Sequence, residues 1–184
     1  MKPTESLIHE HEIVYLVLEA IGREVEQMNA VGKADYEVLR KIVDFSRNFT
    51  DRCHHAKEED HLFPALVKRG LSQAEGPIAV MLWEHAQGRE KIKAIADTLA
   101  YAEKGDGIAL AVLRENLDAY ARLLRAHISK ENNVLFPLAD RLLTPEDQKA
   151  LEEAFEKVEA EEMGAGTHEV YHQLAHELGK KREG

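Results

Sequence analysis

Three stripes of apolar residues step along this chain by threes and fours, and they constrain its fold more than any other feature. The first runs through Leu7, His11, Val14, Leu18, Ile21, Val25 and Met28. The second runs through Ile78, Met81, His85, Gly88, Ile92, Ile95 and Leu99. The third takes in Leu113, Leu117, Tyr120, Leu124, His127, Glu131, Leu135 and Leu138. This spacing keeps the side chains on one face of a helix. A less regular stripe through Leu39, Val43 and Leu62 predicts a further long helix from about Ala34 to Arg69. The breakers "VGKAD", "RGLSQAEGP" and "EKGDG" separate these segments. The expected fold is all-α: an antiparallel four-helix bundle over residues 1–142, with a helical extension over 143–184 packing on it. In the extension, "LTPED" places Thr144 as N-cap and Pro145 at the first helical position. An acidic helix follows, "MGAGT" breaks it, and Thr167 caps a short last helix to about Gly179.

A repeat lies within this pattern. The first and third helices each hold a Glu-His pair, Glu10-His11 and Glu84-His85. The second holds His54-x-x-x-Glu58-x-x-x-Leu-Phe-Pro, and the fourth holds His127-x-x-x-Glu131-x-x-x-Leu-Phe-Pro. His11 and His54 are 43 positions apart; His85 and His127 are 42 apart. A single His-x-x-x-Glu is common in a chain rich in both residues. Two of them, each with Leu-Phe-Pro at the same distance, are not.

Residues four apart share a helix face, one turn apart. His54 with Glu58, and His127 with Glu131, can each present an imidazole and a carboxylate to a common point. His11, His85, His127 and Glu131 fall within apolar stripes, where a carboxylate costs several kcal/mol unless it is paired or metal-bound. Imidazole and carboxylate without thiolate suit iron, with zinc and manganese as alternatives. Facing helices of a bundle are a natural place for a two-metal carboxylate site. Two octahedral ions offer about twelve positions. Two bridging glutamates, one bridging oxygen and four histidines leave roughly two of them open to a small ligand.

The formal charge of −10 excludes a phosphate-binding footprint, so no nucleic-acid partner is expected. The longest apolar runs, such as "GPIAVMLW", are too short to span a bilayer, and no membrane association is expected. The N-terminal stretch has no signal-peptide apolar region, and one cysteine, Cys53, permits no internal disulfide. These features point to the cytoplasm. The sequence names no protein partner.

The quoted residues resemble the hemerythrin-like family, or HHE cation-binding domain. The matching stretches are "EHEI" at His11, "HHAKEEDHLFP" with His54 and Glu58, "EHAQGRE" with His85, and "HISKENNVLFP" with His127 and Glu131. They cover roughly residues 5 to 142. The resemblance implies a non-haem di-iron centre in a four-helix bundle, with both glutamates bridging. It also implies dioxygen carriage or sensing, a response to nitric oxide or peroxide, or the repair of iron centres. Oxygen-carrying members have His-x-x-x-His on the third helix, where this chain has Arg89 in the second position. One ion is therefore short of a histidine unless another segment supplies it.

The last helix is one source, with His168, His172 and His176 spaced by four. Counting about 100° per residue, His168 lies nearest the apolar stripe through Tyr171, Leu174, Ala175 and Leu178, which makes it the favoured fifth histidine. The neighbours of the expected ligands are assigned to water or packing. His9 sits about 200° from His11. His55 and Glu59 share a face with Asp44, Asn48 and Asp51. His61 is expected outside the ligand set, and Cys53 is expected to be a small packed residue. "HEVYH" at 168–172 also matches a zinc-protease pattern, but no third ligand follows it at the required offset. Two other readings stand beside small-ligand binding: a redox or iron-repair protein, and a metal-free helical interaction module.

Overall fold

The computed structural model describes residues 1–164 and 166–180. Ala165, within the expected "MGAGT" break, and 181–184, the end of the expected extension, lie outside the described residues. The described chain is all-α, with no strand among its described residues. Six helical runs follow one another: α1 (Pro3–Val31), α2 (36–68), α3 (Gly76–Glu103), α4 (107–142), α5 (145–163) and α6 (Thr167–Gly179).

Local chemistry sets the boundaries. α1 ends at Gly32, whose φ of 64° is left-handed and whose N–H donates to the Met28 carbonyl. Asp35 caps α2, its Oδ1 accepting from the Glu37 and Val38 N–H groups at 3.0 Å each. Asp106 caps α4 in the same way through Ile108 and Ala109. Thr144 and Asp147 cap α5 reciprocally, at 3.3 and 3.0 Å, with Pro145 at the first helical position. The Arg69 side chain donates to Asp147 at 2.6 Å and ties this cap to the end of α2.

α3 packs along α4, and α1 packs on both α4 and α6. α6 also contacts α2, and α5 lies against α1 and α2. Tyr171 of α6 packs over Phe45 and Phe49 and donates its hydroxyl to Asp44 at 3.0 Å.

The core is two apolar clusters rather than one. The larger includes Val14, Leu18, Ile21, Phe45, Phe49, Ile92, Leu117 and Leu124. The smaller includes Leu7, Leu62, Phe63, Ile78, Met81, Leu135, Phe136 and Phe155. Along each of α1 to α4 the sequence passes from one cluster to the other across a polar step: His11, then His54 to Glu58, then His85, then His127 to Glu131.

α2 and α4 are not α-helical throughout. Ser46–His55, Glu58–Leu62 and Glu131–Leu135 are π-helical, with the Phe63 N–H reaching back five residues to the Glu58 carbonyl and Phe136 likewise to Glu131. Pro64 and Pro137 explain the second and third of these. Each lacks the N–H that an α-helical turn needs, and its ring crowds the carbonyl four residues back, so the turn widens.

Candidate metal centre

The structure brings His11, His54, Glu58, His85, His127 and Glu131 together, each 1% exposed or less. They form two groups of donor atoms lying within 4.8 Å of one another: His11, His54, Glu58 and Glu131, and then His55, Glu58, His85 and His127. Glu58 belongs to both. Its Oε1 lies 3.7 Å from His54 Nε2 and its Oε2 3.3 Å from His85 Nε2, so each oxygen faces a different group. Glu131 Oε2 is 3.2 Å from both His11 Nε2 and His127 Nε2. His85 and His127 meet through their Nε2 atoms at 3.1 Å.

The outward ring nitrogens are all held. Glu10 takes His54 Nδ1 at 2.8 Å, Glu59 takes His85 Nδ1 at 2.6 Å, Glu84 takes His127 Nδ1 at 3.0 Å, and Asn132 takes His11 Nδ1 at 2.7 Å. α1 thus orients α2, α2 orients α3, α3 orients α4, and α4 orients α1. Three of the four partners carry a cation of their own: Lys57 on Glu10, Arg89 on Glu59 at 2.7 Å, and Lys130 on Glu84. Such partners fix tautomer and ring direction in metal-binding histidines. Two phenylalanines complete the arrangement. The Phe136 ring stacks on His11 at 5.5 Å and the Phe63 ring on His85 at 5.9 Å, which gives the repeated Leu-Phe-Pro its place in the site.

The inward atoms, by contrast, are unsatisfied. His11 Nε2, His54 Nε2 and all four oxygens of Glu58 and Glu131 are buried without a hydrogen-bond partner. Buried polar atoms are rarely left so, since each costs about 1–3 kcal/mol. The donor set therefore fits a pair of cations. Without them, protons must spread over the cluster. Burial, then the neighbouring Glu131, pushes the Glu58 carboxyl well above its usual range. Burial acts the same way on Glu131, but the charges of His127 and His11, both with ring nitrogens 3.2 Å from Glu131 Oε2, outweigh it and hold that carboxyl well below. His127 is raised to about 9, because Glu131 and Glu84 outweigh its burial. Burial lowers His54 to about 4, and lowers His85 and His55 as well.

His55 corrects the expectation that it faces water: it is 4% exposed and stacks on His85 with ring centroids 3.8 Å apart. The face assignment used the pitch of an α-helix. Ser46–His55 is wound more loosely, which rotates the face and turns both His54 and His55 inward. His168 is not in either group. It lies with Glu10 and Cys53, its Nε2 3.4 Å from Glu10 Oε1. Glu59 is half-buried and orients His85 rather than facing water alone. Arg89 turns outward onto Asp51 and Glu59, both at 2.7 Å. His9 is exposed and Cys53 buried, in line with the expectation for each.

The supporting residues had a signal in the repeat. Lys57 and Lys130 stand at the same offset from their histidines, and Glu59 and Asn132 each follow the paired glutamate directly. A cavity of about 220 Å³ reaches the group that contains His55; Thr50, His55, Gly88, Ile92 and Tyr120 line it, with exposed Arg47, Arg89 and Lys93 around it.

The family model of the hemerythrin HHE cation-binding domain matches residues 2–139, and the chain belongs to that family. An uncharacterized protein of Mycobacterium tuberculosis (strain ATCC 25618 / H37Rv) is 24% identical over 172 residues, covering 93% of this chain and 67% of its own length. Iron-sulfur cluster repair protein YtfE of Escherichia coli (strain SMS-3-5 / SECEC) is 32% identical over 134 residues, 71% of this chain. The chain spans 59% of that relative's length. No solved structure matches the chain. No described helix is long and apolar enough to cross a membrane.

Proposed function

We propose that residues 1–142 form a four-helix bundle around a non-haem di-iron centre that binds a small ligand, dioxygen, nitric oxide or peroxide, and that 143–184 is an extension packed on it. The observation that carries this reading is the set of six buried, unpartnered donor atoms facing one another between two apolar clusters. His11, His54, His85, His127, Glu58 and Glu131 hold the metal, and the two oxygens of Glu58 turned to different groups suit a bridge. His55 takes the fifth histidine position that was expected of His168. Five histidines, two bridging glutamates and one bridging oxygen leave roughly one position of about twelve open. Bound iron would supply redox-active Lewis acidity at this site. The chain's own residues aim its histidines inward, exclude bulk water with two apolar clusters, and admit the ligand through the cavity beside His55. One buried cysteine and no disulfide fit a reducing, cytoplasmic setting.

A second reading, donation of iron to damaged iron-sulfur clusters, is favoured by the similarity to the E. coli repair protein. Metal analysis with an optical spectrum, taken with and without oxygen, tests the centre. About two irons per chain with oxo-to-iron charge-transfer absorption are expected; protein that stays iron-free and colourless after anaerobic loading rejects it. Rapid mixing of the reduced form with each ligand then separates the readings. Reversible binding with retained iron supports the first, and iron release to an apo-cluster acceptor supports the second.

A further inference from the structure

The His-Glu-x-x-His stretch of α6 takes no part in the centre, yet it is not idle on the surface. Glu10 of α1, Cys53 of α2 and His168 of α6 bring a carboxylate oxygen, a thiol sulfur and a ring nitrogen within 4.8 Å of one another. Glu10 and Cys53 are 2% and 0% exposed. His172 follows one turn later. Its ring centroid is 4.5 Å from that of His168, and its Nε2 is buried with no hydrogen-bond partner. Phe49 covers both rings, at 5.3 and 5.5 Å.

We propose that Glu10, Cys53 and His168 form a separate site for one transition-metal ion, zinc or ferrous iron, and that the His172 ring, which lies outside that group, turns in to complete it. The donor set argues for it: thiolate with imidazole selects such ions over magnesium or calcium. With the His172 ring turned in, four protein donors would make a closed, tetrahedral site with no position left for water. That separates it from a zinc protease, which the histidine pair alone resembled. The missing third and fourth ligands come from earlier in the chain, not later.

The local charges accommodate the ion. The Lys57 ammonium pairs with Glu10 Oε1 and also with Glu159 Oε1 at 2.6 Å. When the ion binds, the ammonium keeps Glu159 and yields Glu10 Oε1. The Cys53 thiol releases its proton to water, as metal-binding thiols do. Glu10 Oε2 stays on His54 at 2.8 Å, so one carboxylate touches both the outer site and a histidine of the centre. The outer site is thereby placed as a station between the surface, where His9 lies 6.2 Å from the His172 ring, and the bundle core.

The test is a cobalt(II) titration of the metal-free full chain, followed by near-ultraviolet absorption, with zinc stoichiometry from equilibrium dialysis. The centre contains no sulfur ligand, so a thiolate-to-cobalt charge-transfer band belongs to this site alone. We expect the band and a third equivalent of zinc. Cys53→Ala should abolish both. His168→Gln and His172→Gln, on half-buried positions, should each weaken the third equivalent at least tenfold and leave the other two in place. A wild-type titration without a thiolate band overturns the proposal, as does a band unchanged in His168→Gln. The band with no further equivalents would support this site and reject the two-metal centre; two equivalents with no band would do the reverse.

Discussion

Glu10 of α1 accepts a hydrogen bond from Nδ1 of His54 on α2, at 2.8 Å, and turns that imidazole's other nitrogen into the core. Glu84 does the same for His127 at 3.0 Å, one half of the repeat later. The Glu-His pair is thus a device with two outputs. The histidine faces the centre from its own helix, and the glutamate aims a histidine on the next. The residue after each bridging-type glutamate closes the circle, Glu59 on His85 and Asn132 on His11.

Glu84→Gln should therefore lower metal affinity without removing a metal donor. Outer partners of this kind are typically worth about 10–100-fold. A neutral amide also leaves Lys130 without its carboxylate. Competition against a chelator measures the change. An affinity within twofold of wild type would mean that the Nδ1 contact does not orient the ring.

The metal-free protein should be most stable near neutral pH. His127 is raised from 6.5 to about 9, so its contribution is fully present below 6.5 and is lost as pH climbs through 9. The raised Glu58 carboxyl acts in the same direction, since its folded form keeps a proton that the unfolded chain gives up. His54, lowered to about 4, acts oppositely: its contribution is present above 6.5 and fades as pH falls towards 4. Metal binding must displace the protons of His127 and Glu58, so metal affinity should rise over the same alkaline range in which the metal-free protein weakens. Thermal melts of both forms from pH 5 to about 9.5 would show the two trends diverging. Parallel trends would refute the assignment.

Pro137→Ala should trade function for helix regularity. It restores an N–H that can reach the carbonyl of Asn133, which favours an α-helical turn over the π-helical one at Glu131–Leu135. Rewinding this turn shifts Glu131 relative to His127. The expected result is helicity equal to or above wild type, with metal affinity reduced roughly tenfold, on the scale of lost ligand orientation. Unchanged affinity would show that the proline does not set the register of the glutamate.

The all-α class and the inward direction of His11, His54, Glu58, His85, His127 and Glu131 could be read from the sequence, because both follow from helical spacing and an exact offset to Leu-Phe-Pro. His55 could not. Its neighbours one turn away, Asp51 and Glu59, are polar, and an α-helical pitch puts all three towards water. The π-helical winding of Ser46–His55 breaks that count, and no proline marks it in the way that Pro64 and Pro137 mark theirs. His168 groups with Glu10 and Cys53, a position the sequence did not indicate, for another reason. Its own helix gives its face, but which part of the bundle that face meets depends on how α6 docks on α1 and α2. Lys57, Lys130, Glu59 and Asn132 were legible in principle, as they recur at matching offsets, but charged residues beside a ligand look like ordinary solvent-facing positions.

His55→Ala distinguishes a metal ligand from a packing histidine. The ring sits in the group formed with Glu58, His85 and His127, and it also stacks on His85 with planes 14° apart. If it donates to one ion, its loss should weaken that ion at least tenfold, given that outer partners alone reach that scale. The second ion, held by His11, His54, Glu58 and Glu131, should be nearly unaffected, so the two affinities separate in a titration. If His55 only packs, both affinities stay together and the loss appears in the melting temperature, as about 1–3 kcal/mol of stability. His168→Ala, measured beside it, should leave both core affinities in place, because His168 contacts Glu10 and neither bridging-type glutamate.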